Sequence, residues 1–168
     1  MTAGSGPAPN AAILDSALRP LRGRFDDAEV RLEERREARP AIVLGDSIRL
    51  KNVITNVLAN ALKYSPRGGR ILVETVSRRD AGLDGLAAFQ FAVTDAGPGV
   101  PETFRGRVSE KFFRVEHHLD GSSDGIRGTG IGLYLCREVV KAHGGSIWCE
   151  PAEGGIGTMV AFRIKGDG

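Results

Sequence analysis

Hydrophobic positions along this chain first recur at helical intervals: Ile13, Leu14, Ala17, Leu18, Leu21 and Phe25 predict an amphipathic helix from Ala11 to about Ala28, kinked at Pro20. Val30 and Leu32 then alternate with charged residues, Arg35 to Pro40 reads as a turn, and Ala41 to Leu44 is a short apolar run. Together they predict a hairpin. Asp46 stands where an N-cap belongs, ahead of Leu50, Val53, Ile54, Val57, Leu58, Ala61 and Leu62, so the strongest helix begins there. It ends near Tyr64, broken by Pro66, Gly68 and Gly69. Strands follow at Arg70 to Val76 and Ala88 to Thr94, joined by the polar loop Ser77 to Gly85. Asp95 to Gly130 has no regular period apart from a short helical piece before Phe112. A second amphipathic helix runs from about Ile131 to Ala142, stopped by Gly144 and Gly145. Ile147 to Glu150 and Gly157 to Ile164 close the chain as strands around a turn at Gly154 and Gly155. Helices and strands mix without the strict alternation of a doubly wound sheet. The expected class is α/β, with helices on one face of a mixed, mostly antiparallel sheet.

Composition changes this picture little. At 168 residues, 41% hydrophobic and 26% charged, the chain fits one soluble domain able to bury its own core. The opening MTAGSGPAPN is small, polar and rich in Pro and Gly, so residues 1–10 are expected to be a disordered lead or an artificial junction, with the domain at 11–168. A net charge of +2, from 23 basic residues interspersed with 21 acidic ones, gives no footprint for nucleic acid or for direct membrane contact. No apolar run approaches a membrane span and no signal peptide is read. The run RLEERREAR from Arg31 to Arg39 alternates in sign and predicts a solvated hairpin or strand end. Cys136 falls in an apolar helix and Cys149 in an apolar strand, the pattern of reduced thiols in a cytosolic protein.

Chemistry enters in three segments. On the strongest helix Asn52, Asn56, Asn60 and Lys63 form one stripe beside the apolar face. Asparagine costs helix stability, because its amide competes for backbone hydrogen bonds. The stripe is either the helix's wet side or a site where amide oxygens meet Mg²⁺ and a lysine meets phosphate. Asp95 opens Asp-Ala-Gly-Pro-Gly after a strand, which is either a plain turn or a carboxylate placed to accept from an exocyclic amine. Adenine presents such an amine where guanine presents an oxygen, so the second reading selects ATP over GTP. Gly128, Gly130 and Gly132 lead into Leu133, Leu135, Val139 and Val140. Amides at such a helix start cradle anions, although glycines there could also be a flexible entry. The spacing is neither the Walker pattern nor the dinucleotide fingerprint. Arg114 to Arg127 is rich in Gly, Ser and Asp, as a mobile lid would be, and its two arginines can bring charge to a phosphate.

In combination these segments resemble the ATP-binding catalytic domain of sensor histidine kinases, in the superfamily that also holds gyrase, the Hsp90 chaperones and the MutL ATPases. NVLANALKY from Asn56 to Tyr64 resembles its N box, DAGPG from Asp95 to Gly99 its G1 box, KFFRVE at 111–116 its F box, and GTGIGL from Gly128 to Leu133 its G2 box. YLCREVVKAHGG and the closing GTMVAFRI are similar to the family's ending, so the likeness runs from about residue 10 to 165. It implies a two-layer α/β sandwich with ATP between the helices and a mobile lid. It also implies roles: Asn60 on Mg²⁺, Asn56 and Lys63 at the phosphates, Tyr64 flanking the nucleotide, and Asp95 on the adenine amine with Gly97 and Gly99 beside it. Gly128, Thr129, Gly130, Ile131, Gly132 and Leu133 would wrap the phosphates, and Thr158 would sit by the adenine. Catalysis would fall to Asn56, Lys63, Arg114 and Arg127.

The ATP-hydrolysing branches carry a glutamate where this chain has Asn56, and an amide cannot take water's proton. The expectation is therefore phosphoryl transfer to a protein histidine, with catalysis by positioning and charge neutralisation. The acceptor would lie on a dimerisation and phosphoacceptor domain of the same or a parent protein. A response regulator would follow it, and the location would be cytoplasmic whether or not the parent is membrane-anchored. The alternative is a nucleotide-dependent binding module or a serine kinase of the anti-sigma type. His117 and His118 fall in the presumed lid, and His143 is read as part of a helix C-terminal cap, so none has the setting of a phosphoacceptor.

Overall fold

The computed structural model describes residues 6–37, 41–79, 87–99 and 132–167. The first helical stretch divides at Pro20 as its kink requires: helix α1 (Asn10–Leu18), a tight turn over Arg19–Leu21, and helix α2 (Arg22–Asp27). Strand β1 (Ala8–Pro9) precedes it. Strands β2 (Arg31–Arg36) and β3 (Ile42–Val43) follow, then helix α3 (Ser47–Tyr64) and strands β4 (Arg70–Arg79) and β5 (Ala87–Thr94). Helix α4 (Gly132–Ala142) and strands β6 (Ser146–Pro151) and β7 (Thr158–Asp167) complete the described elements. The strands form one sheet in the order β1-β3-β7-β5-β4-β2, with β6 also paired to β7. All pairs are antiparallel except β2 with β4. The expected class of helices on a mixed, mostly antiparallel sheet is the one found.

The predicted hairpin is not formed. β2 pairs in parallel with β4, from Arg31 opposite Arg70 to Arg36 opposite Thr75, while β3 joins β1 and β7. A parallel pair needs a long crossover, and α3 lies in the chain between β2 and β4. The alternating charges of β2 are consumed by this register: Glu33 meets Arg70 at 3.3 Å and Arg35 meets Glu74 at 3.4 Å. Arg36 bridges Asp15 of α1 and Glu34. The fold also starts earlier than the composition suggested. Ala8 and Pro9 pair with Val43 and Ile42, and the buried Asn10 donates its backbone N–H to Ala41 O at 2.9 Å.

The core lies between the helices and one face of the sheet. Leu14 and Leu18 of α1 and Leu50, Ile54 and Leu58 of α3 close over Phe91 and Phe162. Those two rings sit 5.3 Å apart on the central strands. Burial of such side chains, each stabilising by about 1.5–3 kcal/mol, fixes which side of every element faces in. Asp46 caps α3 as expected, its side chain accepting from the N–H groups of Ile48 and Arg49 at 3.1 and 3.0 Å.

Candidate functional site

Asp95 stands one residue past the end of β5, where the ladder with β7 runs on for one more pair. Its N–H donates to Thr158 O at 2.9 Å. The carboxylate turns back on the same loop, Oδ1 accepting from Gly97 N–H at 2.8 Å and from Thr158 N–H at 3.2 Å. Among the described residues these two donors both fall on Oδ1, which leaves Oδ2 as an available acceptor. Burial pushes the Asp95 carboxyl above the usual carboxylate range, against the pull of the two N–H groups.

Glycine is required where this loop is packed most closely. A side chain at Gly157, whose φ is 92°, would put its Cβ 2.0 Å from Asp95 O. At Gly97 the Cβ would lie 2.7 Å from the carbonyl oxygen of Tyr64, so the last turn of α3 abuts the Asp95 loop. Gly99 stands over Gly157 and Thr158. The expected residues Asp95, Gly97, Gly99 and Thr158 are thus in one place, beside the helix end that carries Lys63 and Tyr64. The Lys63 ammonium lies 5.3 Å from the centre of the Tyr64 ring.

Further back along α3, Asn56 and Asn60 are half-buried while Asn52 is exposed, so the stripe divides into a wet end and a sheltered end. No hydrogen bond to a described residue engages the Asn60 amide. The Asn56 amide bonds the Cys136 thiol of α4, and Cys136 Sγ lies 3.8 Å from Val53 O. Burial pushes this thiol up to about 11, so it stays protonated and contributes packing and a weak donor. Cys136 is buried and Cys149 half-buried, and neither is in a disulfide.

A second contact ties the same two helices. His143, just past α4, accepts the Asp46 N–H at Nε2 over 3.0 Å. Cys136 with Val53 and His143 with Asp46 lie seven residues apart on each helix in opposite senses, which makes α3 and α4 antiparallel and in fixed register. Carried back to Gly132, that register brings the start of α4 alongside Val57, on the turns of α3 that hold Asn56 and Asn60. Unpaired N–H groups at a helix start favour anions there. The set can therefore serve a nucleotide with its metal: a carboxylate acceptor at one end, a lysine along α3 with an amide oxygen that no described residue hydrogen-bonds, and the first described turn of α4 beside them.

Arg114, Arg127, Gly128, Thr129, Gly130 and Ile131 lie outside the described residues, as do the F box, the presumed lid, His117 and His118. Sequence reasoning missed one residue and one contact. Gly157 looked like an ordinary strand start, although a glycine directly before Thr158 was the available signal. The bond from Asn56 to Cys136 had no signal at all, because it depends on how the two helices pack.

Known proteins resemble this chain in sequence and in fold. Residues 45–167 match the family described as histidine kinase-, DNA gyrase B- and HSP90-like ATPases. The chain is 37% identical over 128 residues to the adaptive-response sensory kinase SasA of Synechococcus sp. (strain CC9311), an alignment covering 75% of this chain and 31% of that protein. It thus spans about a third of the length of that relative. Among solved structures, the mycobacterial sensor histidine kinase MprB superposes with a TM-score of 0.79 at 31% identity, covering 97% of this chain and 98% of MprB's. The histidine kinase ThkA, solved in complex with the response regulator protein TrrA, superposes with a TM-score of 0.75 at 19% identity over 96% of this chain and 41% of ThkA's, a likeness of fold.

Proposed function

This chain belongs to the family of histidine kinase-, DNA gyrase B- and HSP90-like ATPases, as an ATP-binding catalytic domain of the sensor histidine kinase type, and from that premise we propose that it binds Mg-ATP and donates the γ-phosphoryl group to a histidine on a separate phosphoacceptor domain. The observation that supports this reading is the junction of the Asp95 loop with the end of α3, which sets the Asp95 carboxylate beside the helix end that carries Lys63 and Tyr64. Asp95 Oδ2 accepts from the exocyclic amine and Thr158 borders the ring. Lys63 meets the phosphate chain as a point charge, aided by the start of α4 at Gly132 and Leu133. Asn60 is the protein ligand for Mg²⁺, which when bound neutralises charge on the transferring phosphoryl group. Asn56, held by Cys136, orients at the phosphates and offers no base for water. Arg114 and Arg127 supply further positive charge in the same proposal, with Tyr64 flanking the nucleotide and Gly128, Thr129, Gly130 and Ile131 lining the phosphates.

The acceptor is a dimerisation and phosphoacceptor domain of the same or a parent protein, with a response regulator downstream, as in the ThkA and TrrA pair. No helix of the described residues is long and apolar enough to cross a membrane, and a cytoplasmic place of action is part of the proposal. Incubation with radiolabelled ATP should leave no phosphate on the chain alone and acid-labile phosphate on an added histidine-bearing helical hairpin. His143 supports the first half of that result, since Nε2 accepts from Asp46 N–H and Nδ1 meets Val139 O at 2.7 Å, leaving no free nitrogen to attack. Self-labelling of the chain, or phosphate stable to acid on serine, would overturn the reading.

Asp95 also predicts a pH dependence. The amine needs an ionised carboxylate, and burial holds the Asp95 carboxyl above the usual range. Affinity for ATP should be full at neutral pH and fall as pH drops through that raised value, earlier than an ordinary aspartate would allow. Calorimetry from neutral to acid pH should show this fall in the unaltered chain, beyond any fall shared with Asp95→Asn. Parallel profiles for the two proteins would remove the carboxylate from adenine binding.

A further inference from the structure

His143 holds two helices at once. Its Nδ1 lies 2.7 Å from Val139 O in its own helix, and its Nε2 accepts the Asp46 N–H at 3.0 Å, an allocation that puts the proton on Nδ1. The ring lies against Gly45, whose φ is 141°; a Cβ there would meet His143 Cδ2 at 2.2 Å, so a larger residue excludes the ring. The Asp46 side chain meanwhile serves the Ile48 and Arg49 N–H groups. The first turn of α3 is therefore held twice, by its own cap and by α4.

We propose that His143 is a positioning residue for the phosphate end of the nucleotide site. Packing between the helices rests on buried apolar side chains, among them Leu50, Val53, Cys136 and Val140. Such contacts are non-directional and favour one axial offset less sharply than a two-sided hydrogen bond does. Beside the weak, long contact of Cys136 Sγ with Val53 O at 3.8 Å, His143 supplies the stronger directional contact. It sets how far along α3 the start of α4 reaches, and so the spacing between the N–H groups at Gly132 and the amides of Asn56 and Asn60. The inference rests on the Mg-ATP reading above and deepens it. The adenine end, made by Asp95 and Thr158 on the β5 and β7 ladder, does not depend on this offset.

Two ligands separate positioning from general support. His143→Phe keeps a ring but removes both nitrogens, and Gly45→Ala displaces the ring while keeping the histidine. Both variants, at a temperature where circular dichroism shows them folded, should bind Mg-ATP about tenfold more weakly, since small misplacements of contact groups carry such losses. Adenosine, followed by chemical-shift titration, should bind within about twofold of the unaltered chain, because its contacts are elsewhere. His143→Gln, whose carbonyl can accept from Asp46 N–H, should recover most of the Mg-ATP affinity. Nitrogen-15 spectra of the unaltered chain should show the His143 proton on Nδ1. Equal losses for both ligands, no loss for either, or a proton on Nε2 would overturn the positioning role. A chain that binds adenosine but never Mg-ATP would overturn the reading of the phosphate end itself.

Discussion

Asp95→Asn lowers the affinity for ATP by about ten- to a hundredfold, the equivalent of a charge-assisted hydrogen bond of roughly 1.5–3 kcal/mol. The fold should not suffer. An asparagine Oδ1 can still accept from Gly97 and Thr158, and the substitution removes a charge whose burial is costly, as the raised Asp95 carboxyl indicates. The amide's other group is a donor facing the donor of the adenine amine, so preference for ATP over GTP should erode with affinity. Calorimetry with both nucleotides, beside a thermal melt, reads all three effects. An unchanged ATP affinity would place the adenine elsewhere.

Asn60→Ala should reduce phosphoryl transfer to a cognate histidine domain by about a hundredfold or more, because charge stabilisation at the transferring group is among the largest contributions to catalysis. ATP affinity should fall less, since Asp95 still holds the base. The Asn60 amide is half-buried and makes no hydrogen bond to a described residue, so its loss should cost little stability. Single-turnover transfer measured across magnesium concentrations is the decisive experiment, with the defect largest where magnesium is limiting. Transfer equal to that of the unaltered chain at limiting magnesium would move the metal ligand to another residue.

Legibility in the sequence followed the range of the interactions. α3 was readable from end to end because its cap, its apolar period and its terminating Pro and Gly are all local, and each agrees with the others. The division of the first helix at Pro20 was local too. β2 and β3 were misjoined because two short runs flanking a turn look alike whether they pair with each other or with distant strands. The deciding partner of β2 is β4, reached only through α3. β1 was hidden by its composition, since Pro and Gly mark disorder unless a partner strand is waiting. In the proposed site, Asn56, Asn60 and Lys63 stand out by spacing, whereas Asp95 and Thr158 are 63 residues apart and only the resemblance joins them in the sequence. His143 was half legible. Its cap on Val139 O lies four residues away, and its bond to Asp46 spans 97.

The pairing of Asp95 with Thr158 closes a long excursion of the chain, and residues 100–131 lie inside it. The entropy of closing such an excursion grows only with the logarithm of its length, about 0.6 kcal/mol for each doubling. Once the β5 and β7 ladder has formed, that closure is already made, and the bonds between Asp95 and Thr158 extend it by one step at little further entropic cost. The junction of Asp95 with Thr158 therefore inherits its closure from the sheet, and it should open only when the two central strands part.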